Sequence, residues 1–405
     1  MRAAAVFLFA AAAFGQSLAQ RGFFDTRVLV YPQAAPNDSG YAVWESLLRY
    51  EPSWKAASWL RFNASFDARF DSHRQVERSP RLDWTDRRLA RPALSVRRLS
   101  AVLNKGPLTF EIGRQFIRWG KTDILNPTDR FAPKDFLNVA SSDFLAVYAA
   151  RATIELSKDT FDLVWQPLFT PSRTPLLNQR WAVFPDTLSG VSLLDAGSRF
   201  PGGSAFGTRW NHNGAGYEYS LSFYDGRNHL PLFDGTYRAS PPAVTLQRFF
   251  PRMRMYGGDA AVPLKWITLK GEAAYFTSAT QSADEYVDYV IQLERQSGEW
   301  FFVGGYAGEY ITGKRSLLDF APDRGLTKAL LARAQYTIDT NRSLALDTAV
   351  RQNGDGAWLR AEYSQAFGRH WRATAGFTWI HGRAPDFLGQ YHRNSYFLLA
   401  LRYSF

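Results

Sequence analysis

The chain has 405 residues and a formal net charge of +11, with 19 Tyr, 31 Phe, 13 Trp and no Cys. The lack of cysteine excludes disulfide frameworks and thiolate metal sites. A basic chain suggests nucleic-acid binding, but the arginines are spread among alternating segments instead of clustering on one helix. We therefore predict no nucleic-acid partner.

Residues 1–19 have the pattern of a secretory signal peptide. Arg2 supplies the positive charge, residues 3–14 are an apolar run of 12 residues, and residues 17–19 form a small-x-small cleavage site. The run is too short to cross a bilayer as a helix, which needs about 20 residues. We predict that residues 1–19 are removed and that residues 20–405 form one domain; the alternative is a buried first helix.

Alternation of apolar and polar residues recurs along the rest of the chain, most clearly in residues 58–71. Similar alternation occurs in residues 326–339, 342–352 and 371–381. Successive side chains of a strand face opposite sides, so each segment predicts a strand with one apolar face. A soluble β-sandwich would also alternate, but its strands are usually shorter. The apolar rows instead favour strands that face lipid on one side.

Short turns and long polar links alternate between these segments. Examples are the short turn at residues 104–107 and the long links at residues 72–92 and 119–146. This asymmetry is typical of outer-membrane barrels. We predict an all-β fold, a single antiparallel transmembrane β-barrel of about 18 strands. The weaker alternation in residues 252–262 and 300–311 leaves 16 strands as an alternative.

The last twelve residues, 394–405, predict the strand that closes the barrel. One row of this strand is apolar: Ser395, Phe397, Leu399, Leu401, Tyr403 and Phe405. Tyr403 and the terminal Phe405 resemble the C-terminal insertion signal of Gram-negative outer-membrane barrels. That resemblance implies the barrel-assembly machinery and periplasmic chaperones as partners during biogenesis, and outer-membrane lipid afterwards.

Residues 111–138 break the alternation. If the strand kept its phase, Arg114 and Arg118 would face lipid together with Ile112, at a cost of about 2–4 kcal/mol for each charge at the bilayer midplane. Glycine tolerates the dihedral angles of a β-bulge, and a bulge at Gly113 would reverse the phase. We therefore predict a bulge at Gly113 that turns both arginines into the lumen.

Residues 119–135 follow this break and carry two prolines and several charges of both signs. We predict that they fold into the barrel, narrow the pore and favour anions, because basic groups at a constriction attract them. Asp123 and Asp129 would hold the basic groups by charge-assisted hydrogen bonds. The candidate constriction residues are Arg114, Arg118, Trp119, Lys121, Asp123, Asp129 and Arg130. The alternative is an ordinary external loop with solvated charges.

The residues Arg114-Gln115-x-x-x-Trp119-Gly120, followed by Asn126-Pro127-x-Asp129, resemble a motif of a broad group of poorly characterised bacterial outer-membrane barrels. Residues 387–391, which lead into the final strand, are similar to the same group. The resemblance implies a barrel in the outer membrane. Within the group some members are associated with moving lipids or other hydrophobic compounds, and others resemble alginate-export porins.

Together these patterns predict a porin or channel that passes small anionic solutes across the outer membrane, with both termini in the periplasm. The alternatives are a component for lipid transport, a non-transporting anchor and an outer-membrane acyl hydrolase. A hydrolase would need a Ser–His pair, and no pattern indicates one. The six histidines lack metal-ligand spacing. We predict no cofactor, no metal and no catalytic residue, and the sequence does not indicate an oligomeric state.

Overall fold

A computed structural model describes residues 18–184, 190–313 and 320–405. Most of the signal peptide predicted at residues 1–19 lies outside these ranges, so its removal stays a prediction. Leu18 and Ala19 are the first residues of a strand and lie opposite Trp54 and Ser53. In the described ranges, no helix is long and apolar enough to cross a membrane.

Eighteen antiparallel strands form one closed barrel. The first nine are β1 (Leu18–Val30), β2 (Ala42–Ala57), β3 (Leu60–Asp71), β4 (Leu94–Lys105), β5 (Leu108–Gln115), β6 (Val147–Leu156), β7 (Asp159–Leu168), β8 (Ala205–Gly214) and β9 (Tyr217–Arg227). The other nine are β10 (Arg252–Pro263), β11 (Thr268–Thr277), β12 (Glu285–Ser297), β13 (Trp300–Gly313), β14 (Ala329–Asp339), β15 (Arg342–Arg351), β16 (Gly356–Phe367), β17 (Trp371–Gly382) and β18 (Tyr396–Ser404).

The barrel closes where β18 pairs with β1, from Phe23 opposite Ser404 to Val30 opposite Phe397. The two segments whose alternation was weakest are β10 and β13. The predicted count of 18 strands is therefore confirmed, and the alternative count of 16 is wrong.

The two ends of the barrel differ in their connections. At one end, which we call the turn end, strands are joined by short links such as residues 58–59, 106–107 and 157–158. At the other end, which we call the loop end, the links are longer and include residues 72–93, 116–146, 169–204 and 228–251. These loops contain a three-stranded sheet of Ser192–Arg199, Ala243–Phe249 and Leu232–Arg238, and a short 3-10 helix, Gly389–Asn394, lies in the last loop.

Each strand separates an apolar outer row from an inner row, as β7 illustrates. Phe161, Leu163 and Trp165 are exposed on the outside, whereas Asp162 and Val164 are buried on the inside. The same division appears on β18, where Phe397, Leu399 and Leu401 of the predicted apolar row are exposed. Arg402 of the other row pairs with Asp25 of β1 at 2.9 Å. The inner and outer faces therefore follow directly from sequence parity.

Candidate pore constriction

Residues 116–146, which we call the inward loop, leave β5 and return to β6 through the inside of the barrel. Trp119 donates its indole N–H to the inner-row Asp162 of β7 at 3.0 Å. Phe131 packs its ring against the inner-row Tyr224 of β9, with ring centroids 5.0 Å apart. Because both partners lie on the inner row, this part of the loop occupies the lumen.

Glu272, an inner-row residue of β11, anchors the inward loop to the wall. Its Oε1 accepts hydrogen bonds from the backbone N–H and the hydroxyl of Thr128, at 2.8 and 2.9 Å. Its Oε2 accepts from the N–H of Lys121 at 3.0 Å, and from the N–H and hydroxyl of Thr122 at 3.3 and 2.9 Å. The carboxylate is 3% exposed. A buried charge needs such partners, and the five donors supply them.

Later residues of the inward loop reach a different part of the wall. Val139 and Ala140 pack against an apolar cluster that contains Leu29 of β1 and Ile380 of β17. Thr128, by contrast, lies close to Gly257 of β10. In a barrel of 18 strands, β1 and β10 stand on opposite sides. The inward loop thus crosses the lumen and reduces its free width.

The basic residues predicted at the constriction are all held in ion pairs. Arg118 pairs with Asp129, as predicted for that acid. Lys121 pairs with Glu218 of β9 at 2.7 Å. Arg118 keeps 44% of its side chain exposed, but Lys121 keeps 13%. Both positive charges are therefore already paired, Arg118 within the inward loop and Lys121 at the wall.

The remaining acid and base of the predicted set also bond outside the inward loop. Asp123 accepts a hydrogen bond from Lys270 of β11 at 3.0 Å, so it binds the wall and not the loop's own cations. Arg130 pairs with Asp323 of the β13–β14 link at 3.4 Å. These contacts fix the position of the loop. Whether the set governs ion selectivity stays a prediction.

The bulge predicted at Gly113 is wrong. Pairing is continuous through this residue, with Gly113 opposite Ser100 and Arg114 opposite Leu99. Gly113 has φ of +121°, and a side chain there would collide with the carbonyl oxygen of Leu99. Glycine is needed for this close approach of two strands, and the phase of β5 is unchanged.

Arg114 therefore keeps the phase of the outer row and does not join the other candidates in the lumen. Its guanidinium is 1% exposed and bonds to the carboxylate of Asp86 and the carbonyl of Trp84. The two-residue strand Leu82–Asp83 pairs with β4 and continues the wall where β5 has ended. Arg114, which the sequence predicts at the lipid face, is thus neutralised by Asp86 and covered by residues 82–86.

A buried ionic network joins three links at the loop end. It consists of Asp86, Arg91, Asp135 and Arg173, and every member is less than 7% exposed. Asp135 of the inward loop accepts from Arg91 at 2.9 Å and from Arg173 at 3.0 Å, and Asp86 pairs with Arg173 at 2.5 Å. Burial alone would raise the pKa of Asp135, but Arg91 and Arg173 lower it well below its usual range. The network therefore stays ionised at neutral pH.

Two carboxylates of the inner rows, Asp67 of β3 and Asp347 of β15, are each shared by two arginines. Asp67 is shared by Arg49 at 2.7 Å and Arg69 at 2.8 Å. Asp347 is shared by Arg333 and Arg360 at 2.5 and 2.7 Å. Each carboxylate thus offsets one of its two guanidinium charges and leaves the other. The pairs Arg49–Asp67, Arg333–Asp347 and Arg360–Asp347 join neighbouring strands and therefore also stiffen the wall.

Phe405 and Tyr403, the predicted insertion signal, lie at the seam of the barrel. The backbone of Phe405 exchanges two hydrogen bonds with Gly22 of β1, at 2.9 and 3.0 Å. Its ring covers Gly22 so closely that a β-carbon there would lie 2.6 Å from the ring. The ring of Tyr403 packs on Trp371 of β17 at 4.9 Å. Recognition by the assembly machinery stays a prediction.

No group of three or more His, Asp or Glu side chains in residues 18–184, 190–313 and 320–405 is arranged to hold a metal ion. By sequence, no family model and no curated protein matches the chain.

Solved structures do share its fold. OccAB3 of Acinetobacter baumannii is 11% identical and matches with a TM-score of 0.54 over 95% of this chain and 99% of its own. OccAB4 of the same organism is 9% identical, with a TM-score of 0.55 over 96% and 99%. OccK3 (OpdO) of Pseudomonas aeruginosa is 10% identical, with a TM-score of 0.53 over 95% of each chain. At these identities the likeness concerns the fold, and the chain has the porin-like 18-stranded barrel fold of these proteins.

Proposed function

We propose that this protein is an outer-membrane channel for small anionic solutes. The outer rows of the strands are mainly apolar and exposed, and each of the 18 barrel strands pairs with a neighbour on both sides. A β-structure that spans a bilayer needs both features. The fold is shared with OccAB3 and OccK3. A barrel of this size encloses a lumen wide enough for solutes.

The orientation follows from the two ends of the barrel. Outer-membrane barrels have short turns in the periplasm and longer loops outside the cell. Both termini of the described barrel lie at the turn end, since β1 and β18 each meet a long link at their other ends. On this basis both termini are periplasmic, after removal of residues 1–19.

The observation that carries the anionic preference is the sharing of Asp67 and Asp347 by two arginines each. The inward loop binds the wall mainly through β7 to β11, where its charges are paired. The arginines that share Asp67 and Asp347 stand on other strands, and Arg333 and Arg360 keep about a third of their side chains exposed. Guanidinium groups bind carboxylates and phosphates through paired N–H donors. We place the anion path along this part of the wall.

Ion selectivity in planar bilayers tests the proposal. In a salt gradient, the wild-type channel should give a reversal potential of the sign that indicates anion preference. The double substitution Arg333→Gln and Arg360→Gln should move this potential toward the cation side, because Asp347 is then left unopposed. Arg342→Gln is the matched control: Arg342 pairs with Asp339 beside a turn and its side chain is 47% exposed. An unchanged potential in the double variant, or an equal change in the control, would refute the assignment.

A further inference from the structure

Arg252 and Arg254 carry charge on the outer face of the barrel. They alternate along β10 with Met253 and Met255, which are buried in the apolar cluster of the inner side. Strand parity therefore turns both guanidinium groups outward. The side chains are 50% and 51% exposed. We call these two residues the rim arginines.

The rim arginines stand directly above a row of aromatic side chains. Tyr256 is the next outward residue of β10, and it lies opposite Phe223 of β9 and Tyr275 of β11. The rings of Phe223 and Tyr256 are 5.2 Å apart. Aromatic rows mark the interface between the apolar band and the headgroups in such barrels. The rim arginines are therefore at headgroup depth.

A length estimate agrees with this depth. From Tyr217, at the turn end of β9, to Asp225, opposite Arg254, the strand advances by about eight residues. At about 3.3 Å per residue and a tilt of about 40°, this is roughly 20 Å across the bilayer for Arg254, and the ten residues to Arg227, opposite Arg252, give roughly 25 Å. The apolar band of an outer-membrane barrel is about 25 Å tall. The rim arginines thus reach the upper edge of that band, on the side of the long loops.

Only part of the charge at this site is compensated by the protein. Asp225 accepts from Arg252 at 3.0 Å and from Arg254 at 2.9 Å. Arg227 lies opposite Arg252 and adds a third cation to the same patch. Within the described ranges, no second carboxylate pairs with either rim arginine. Arg254 engages Asp225 through Nε, and its two terminal nitrogens make no bond to the described residues.

We propose that the rim arginines, with Asp225 as their spacer, bind the phosphate of a lipid headgroup in the outer leaflet of the outer membrane. This inference rests on the membrane location in the proposed function. A phosphate ester accepts hydrogen bonds from the paired N–H donors of a guanidinium group. It would also neutralise the positive charge of the rim arginines that Asp225 does not offset. An arginine facing the membrane with no anionic partner has an energetic cost, which falls near the interface.

The experiment uses purified barrel in detergent and bisphosphorylated lipid A as the probe. Unfolding temperature is measured by the loss of the heat-modifiable folded band on gels, with and without lipid A. Lipid A should raise the unfolding temperature of the wild type, and the double substitution Arg252→Gln and Arg254→Gln should reduce that shift by at least half. Dephosphorylated lipid A should give no shift in either protein.

Arg295→Gln is the matched control, because Arg295 is exposed on β12 near the turn end, beside Trp266. It lies opposite Phe302, which faces outward, and should keep the full lipid A shift. A full shift in the double variant, no shift in the wild type, or an equal shift with dephosphorylated lipid A would each overturn the proposal. The double variant should conduct like the wild type. A wild-type channel that shows no anion selectivity would refute the proposed anion channel without altering the lipid A result.

Discussion

Replacing Glu272 by glutamine should release the inward loop from the barrel wall. The carboxylate accepts five hydrogen bonds from Lys121, Thr122 and Thr128, three of them from backbone N–H groups. Glutamine has one acceptor oxygen, so in either orientation its NH₂ group faces at least one backbone N–H. The remaining bonds lose the charge, which contributes roughly half of their strength.

The expected cost can be estimated from these contacts. A buried donor left without a partner costs about 1–3 kcal/mol, and hydrogen bonds to a charged group contribute about 1.5–3 kcal/mol each, compared with about 1 for neutral ones. We expect the binding of the inward loop to weaken by about 3 kcal/mol. Since each 1.4 kcal/mol is a factor of ten, the ratio of bound to released loop should fall by about 100-fold.

Single-channel recording in planar bilayers measures this effect. Glu272→Gln channels should show a larger mean conductance and frequent switching between two current levels, while the heat-modifiable band reports an intact barrel. The control is Glu362→Gln, which removes the same charge from the inner row of β16, opposite Ala345 and Gly376. If both variants give the same steady currents, charge alone explains the change and Glu272 does not anchor the loop.

Three further predictions concern the loop, the seam and the pH response. Replacing residues 121–134 by a tight turn should raise conductance and weaken anion preference; an external, solvated loop would leave both unchanged. Deleting Phe405 should lower the amount of folded barrel in the outer membrane while surviving channels conduct normally, because its backbone and ring bind Gly22 at the seam; unchanged assembly at several expression levels would contradict this. Burial lowers the pKa of His229 to about 4, against 6.5 for the free side chain, although two carbonyls face its ring nitrogens. The buried, neutral imidazole should therefore make its full contribution to the free energy of unfolding above pH 6.5. By pH 5 that free energy should be about 2 kcal/mol lower, because the imidazole is protonated in the unfolded chain. Denaturant unfolding at pH 7 and 5 should show this loss in the wild type and a smaller one in His229→Gln.

The barrel was predictable because its pattern is local. Each strand repeats its apolar residues with period two, and the short turns recur at one end, so residues 60–71 alone reveal which face is outward. The seam was predictable for the same reason. Gly22, however, was not recognised, because its role depends on the ring of Phe405 at the other end of the chain.

The constriction was only partly predictable because its contacts are distant in sequence. Charges and prolines indicated that residues 119–135 leave the wall, but Glu272 lies 144 residues or more from the groups it binds. The error at Gly113 has a similar origin. The strand alone predicts a cost for a lipid-facing Arg114, whereas Asp86, 28 residues away, neutralises this charge in place.

The inward loop is held at two separate places by different contacts. Removing the contacts at one place should therefore have a different effect from removing those at the other. Glu272 fixes residues 121–128 to β11, while Arg91 and Arg173 fix Asp135 at the loop end. The second site also binds residues 72–93 and 169–184 together, since Asp86 and Arg173 belong to them. Loss of Glu272 should therefore widen the lumen and leave the outer loops packed. Loss of the Asp135 carboxylate should instead remove one carboxylate partner from each of two buried guanidinium groups, Arg91 and Arg173, and loosen three links at once.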